Sequence, residues 1–123
     1  MSGSAARALL LATLGLVACA PATPPMDAAQ FATVRAALAE SPTIQRQAVA
    51  DCVTNQSARS AADRTTLAAL LRVEVADAPR VLCQRIMQAI ADGRLDHADY
   101  VALSSGEDDP ATLMRLLQAV QEG

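Results

Sequence analysis

The stretch PRVLCQRIMQAIADG, residues 79–93, decides the fold. Its apolar residues Leu82, Cys83, Ile86, Met87 and Ile90 recur at the period of one face of an α-helix, not at the alternation of a strand. Pro79 suits the first turn of a helix, where the N–H it lacks has no intrahelical partner in any case. Asp92-Gly93 is a stop signal, because glycine accepts the left-handed conformation that ends a helix. The flanking segments repeat the pattern. Asp27 with Gln30 predicts a capping box ahead of a first helix whose face is Phe31, Val34 and Leu38. Ser41-Pro42 predicts the N-cap and first residue of a second helix, with Ile44, Ala48, Val49, Cys52 and Val53 inward. Ser60 with Asp63 starts a third, with the stripe Leu67, Leu70 and Leu71. After residues 79–93, Asp96 and Asp99 bracket a short fifth helix around Tyr100 and Leu103, ended by Gly106. Asp109-Pro110 opens a sixth that buries Leu113, Leu116, Leu117 and Val120. No stretch alternates long enough for a strand, and no repeat of solenoid length is present. The expected fold is all-α, a small orthogonal or irregular bundle of five to six short helices over residues 27–123.

Composition bounds what such a bundle can be. The chain has 123 residues, enough for one small domain. Alanine supplies 28 of them, so the 52% hydrophobic content reflects helix propensity more than core volume. Net charge is −3 and the pI about 4.9, which argues against nucleic acid as a partner. All ten basic residues are Arg, so no polylysine patch exists to attract anionic lipid.

The N-terminus carries an address. Residues 1–7 hold one arginine, Arg7, and residues 8–18 (ALLLATLGLVA) form an unbroken apolar run. A bilayer-spanning helix needs about twenty residues, so this run has the length of a secretory signal's apolar core. Leu16-Val17-Ala18-Cys19 resembles the lipobox of bacterial lipoproteins. That resemblance implies that signal peptidase II recognises Leu16, Val17 and Ala18 and cuts before Cys19. It also implies that the Cys19 thiol carries diacylglycerol and that the new amino group is acylated, palmitate being the usual chain. A competing reading takes Ala18-Cys19-Ala20 as an ordinary signal-peptidase site, but Pro21 just beyond the scissile bond makes a poor substrate. Residues 19–26 (CAPATPPM) read as a lipidated N-terminus and extended proline-rich tether. Ala20 stands where Asp would favour inner-membrane retention in lipoproteins of this kind, so the expected location is the outer membrane, facing the periplasm.

With Cys19 committed to lipid, two cysteines remain. Cys52 and Cys83 each fall on the buried face of a predicted helix, and an exported protein meets an oxidising compartment. A Cys52–Cys83 disulfide is therefore expected; the competing reading is a pair of buried thiols.

Three constellations imitate chemistry. Residues 67–82 (LAALLRVEVADAPRVL) resemble the core of a helix-turn-helix DNA reader, but Arg72 replaces the usual turn glycine and Pro79 falls where the recognition helix should be under way. A structural helical corner is the expectation. Residues 92–99 (DGRLDHAD) resemble the latter half of an EF-hand loop, with Gly93 at the sharp turn. Gln88 and Ile90 then stand where the first two carboxylates belong, and Asp99 replaces the bidentate Glu. Caps explain Asp92, Asp96 and Asp99 equally well, so no metal is expected. Asp96, His97, Ser104 and Ser105 supply the residue types of a hydrolase triad without a nucleophile elbow or oxyanion loop, so no enzyme is expected. Nor is a cofactor, beyond the covalent lipid.

Two functions remain. One is a membrane-anchored, non-catalytic accessory or interaction module serving another protein of the cell envelope; the alternative is a helical binder of a small apolar ligand. A contiguous exposed apolar surface favours the first and an apolar cavity the second.

Overall fold

A computed structural model describes residues 24–105 and 110–122. The signal and lipobox positions Leu16, Val17, Ala18 and Cys19, with Ala20 and residues Gly106, Glu107, Asp108 and Asp109, lie outside the described residues. Within them the chain is all-α, a small bundle of six helices with no strand. They are α1 (Ala28–Glu40), α2 (Pro42–Gln56), α3 (Ala61–Leu71), α4 (Ala78–Ala91), α5 (His97–Ser105) and α6 (Pro110–Gln121).

Local chemistry sets most of the boundaries. A helix leaves its first N–H groups without partners, and a side chain at the N-cap can take them. Asp27 accepts from Gln30 N at 2.8 Å while the Gln30 side chain accepts from Asp27 N at 3.0 Å, the reciprocal box expected. Ser41 accepts from Ile44 N and Ser60 from Asp63 N. Asp96 accepts from Asp99 N at 2.9 Å, and Asp99 accepts from Asp96 N at 3.1 Å. Asp77 departs from this pattern: it precedes α4 without a side-chain cap bond, and its carboxylate pairs with Arg80 instead.

α4 is the central element and packs against α1, α2, α3 and α6. Its fully buried positions are small: Ala78, Cys83 and Ala89 are all at 0% exposure. Small side chains let neighbouring backbones approach closely, so alanine does core work here as well as favouring helix. Beyond α4, Gly93 takes φ 79° and Leu95 N reaches back to Ala89 O at 3.1 Å. That turn seats Leu95 in the core beside Ala89, Leu116 and Ala119.

Helix C-termini expose unpaired carbonyls and partial negative charge, which cations stabilise. No described helix carries a basic residue in its own last turn. The cations come from elsewhere in the chain. Arg35 of α1 donates to Ile90 O at 3.1 Å and to Leu95 O at 3.0 Å at the end of α4. Arg85 donates to Val120 O at 3.0 Å and Arg94 to Ala119 O at 2.7 Å, closing the end of α6. A guanidinium can reach two carbonyls at once, as Arg35 does; a lysine ammonium lacks that fixed fork.

Candidate functional site

The helical stripes are not all covered. Leu70, Leu103 and Leu113, each expected inside, are 44%, 50% and 55% exposed. Ile44 is likewise 46% exposed. Periodicity assigned each leucine to a face of its helix, but among the described residues no further helix lies over those faces. The three leucines come together in a groove of about 430 Å³, walled by α3, α4, α5 and α6 and including Leu67, Leu82 and Leu117. Gln56 and Arg59 are the polar residues that line it. The α4 residue Ile86, together with Leu95 and Leu103, also lines a second hollow of about 260 Å³, enclosed by α1, α2, α4 and α5. Burying apolar surface is favourable in proportion to the area removed from water, so both hollows are places where an apolar partner gains.

The N-terminal segment is fastened at the second hollow. Met26 N donates to the Tyr100 hydroxyl at 2.9 Å, and His97 Nε2 lies 2.8 Å from Met26 O. Phe31 packs on both rings, with centroids 5.5 Å from Tyr100 and 5.6 Å from His97, and the Arg35 guanidinium lies 5.2 Å from the Phe31 centroid. The residue where the tether ends is therefore held between two α5 side chains. The 3.6-residue pattern could place Phe31 and Tyr100 on faces, but nothing local links Met26 to positions 71 and 74 residues away.

Cys52 on α2 and Cys83 on α4 are brought together, with Cα atoms 5.8 Å apart, inside the 4.4–6.8 Å span of disulfides. Cys83 is fully buried.

The imitated motifs resolve into structural roles. Arg72 occupies the left-handed position after α3, at φ 57° and ψ 46°, and Val73 N reaches Ala68 O, completing a helical corner. Pro79 lies in the first turn of α4. Asp92 pairs with Arg94 at 3.2 Å and accepts from Gln88. Asp99 is buried, with its second oxygen 3.1 Å from Arg115. Hydrogen bonding from the Asp99 backbone holds the Asp96 carboxyl below its ordinary value of 3.8; desolvation opposes this, and the Asp99 side chain and Arg115 add to it. No group of three or more His, Cys, Asp or Glu arranged for a metal occurs among the described residues. His97 is turned to Met26, Ser104 to the Tyr100 carbonyl and Ser105 to the Ala102 carbonyl. Each of these candidate catalytic side chains bonds to backbone. No described helix is long and apolar enough to cross a membrane. No family model, curated protein or solved structure matches the chain.

Proposed function

We propose that the chain is a small periplasm-facing lipoprotein, anchored through acyl groups on Cys19 and braced by a Cys52–Cys83 disulfide. It acts as a non-catalytic interaction module that seats an amphipathic helix of another envelope protein. The observation that carries this reading is the groove between α3 and α6, where leucines 44–55% exposed line one continuous surface. An apolar groove of this kind receives the i, i+3, i+4, i+7 face of a helix. Arg59 is the one charged residue lining it among the described residues, so the bound helix carries an acidic residue near that end. The lipobox resemblance, the two paired-up cysteines and the proline-rich tether support an envelope setting, with the outer membrane favoured by Ala20.

Photo-crosslinking in intact cells tests the reading. A photoreactive residue at Leu113 should give one discrete adduct with another envelope protein, mapped to the apolar face of a helix. The adduct should disappear when Leu70→Glu is added, and a photoreactive residue at Glu40, which does not line the groove, should give none. No adduct, or an adduct with a second copy alone, would contradict the proposed partner.

A further inference from the structure

The second hollow points to a different occupant. We propose that the cavity enclosed by α1, α2, α4 and α5 binds the hydrocarbon tail of a free single-chain lipid, of which a fatty acid is the simplest case. Its volume is about 260 Å³. A cavity of ~150 Å³ lined by aliphatic side chains stays dry and admits benzene, so this space is roomy enough for a stretch of hydrocarbon. Among its lining residues, Tyr100 alone bears a hydroxyl, amide or charge. The Tyr100 oxygen already accepts from Met26 N. Its O–H is the one donor among the described walls, so a polar group placed elsewhere in the interior would be left unpaired. The walls therefore select for a tail and against a polar ring system.

The wall material suits a flexible chain. Leu38 of α1 and Ile86, Met87 and Ile90 of α4 contribute aliphatic or thioether side chains. Unbranched methionine, with its polarisable sulfur, adapts to irregular apolar shapes. Met26 and Leu103 also line it; Leu103 is half exposed, which leaves the space open on its side. Pro24 and Pro25 are exposed, so the described part of the tether beyond Met26 does not fill the space. The ligand's head stays in water at the open side, and recognition follows chain length rather than headgroup. Ile86, Leu95 and Leu103 line both this site and the leucine groove, so the two adjoin at Leu103; the site does not depend on acylation of Cys19.

The test uses the full chain in native membranes and a long-chain fatty acid with a diazirine in its tail. Irradiation should label α1, at or near Val34 and Leu38, which line this cavity and not the groove. An alkanol and a carboxylate of equal chain length should compete equally, and short-chain analogues should not compete. Ala48→Trp, which fills the space from α2, should reduce labelling about tenfold or more, the loss expected for ~1.4 kcal/mol of tail binding. Val34→Phe provides a second filling variant, and thermal melts of both report whether they fold. Labelling confined to α3 and α6, or undiminished in both folded variants, would overturn the site. Labelling that appears only in Cys19→Ser would show that the protein's own acyl group fills the cavity, and would overturn the free ligand.

Discussion

Arg72 holds a left-handed backbone at φ 57° and ψ 46° to end α3. A side chain with a Cβ costs roughly 1–2 kcal/mol there, and glycine returns part of that through the greater freedom of its unfolded chain. Arg72→Gly is expected to raise stability by about 0.5–1 kcal/mol, read as a higher urea midpoint at unchanged slope. A lower midpoint would show that the arginine stabilises the corner through its side chain. The same residue shows how far sequence reading reached. A turn was legible at position 72 because residues 67–82 resemble a helix-turn-helix core, in which Arg72 takes the turn position usually held by glycine. Arg35, Arg85 and Arg94 were not legible as helix-end cations. They act across 25 to 60 residues of chain, while capping rules look only within a turn.

At the scale of the element, α5 depends on the Asp96–Asp99 box. The Asp96 carboxyl titrates below 3.8, chiefly because Asp99 N–H donates to its charged form. Folding therefore favours ionised Asp96. Its contribution is fully present above about pH 4 and is lost as pH falls through the lowered value. Asp96→Ala should cost ~1 kcal/mol at neutral pH, the usual magnitude of a lost N-cap, and the deficit should shrink as both proteins are acidified. A deficit that stayed constant down to acid pH would mean that the charged cap is not what Asp96 contributes. Asp27–Gln30 was readable as a box because its partners lie three residues apart, and Asp96 and Asp99 were readable as the residues that bracket α5. The exposure of Leu70, Leu103 and Leu113 was not. A 3.6-residue period says which face a leucine takes, and only tertiary packing says whether another helix covers it.

For the whole molecule, α2 and α4 meet at Cys52 and Cys83, 31 residues apart in sequence. In the chain-entropy account a bond closing that loop is worth about 3.5–4 kcal/mol, a large fraction of a small domain's stability. Reduction is expected to lower Tm by more than about ten degrees. Melting within a degree or two of the oxidised protein would show that α2 and α4 hold together without the bond. The pairing was expected from the buried helical faces of Cys52 and Cys83 and from the even number left if Cys19 carries lipid, whereas the 5.8 Å Cα separation required the fold.

The account turns on an acylated N-terminus joined to an oxidised helical domain, and the intact mass of the protein extracted from membranes reads both. The expected species begins at Cys19, carries diacylglycerol and an N-linked acyl chain, and is two hydrogens lighter than the reduced polypeptide, as a Cys52–Cys83 bond requires. A species without lipid that begins at Pro21, or one that still carries residues 1–18, would contradict it.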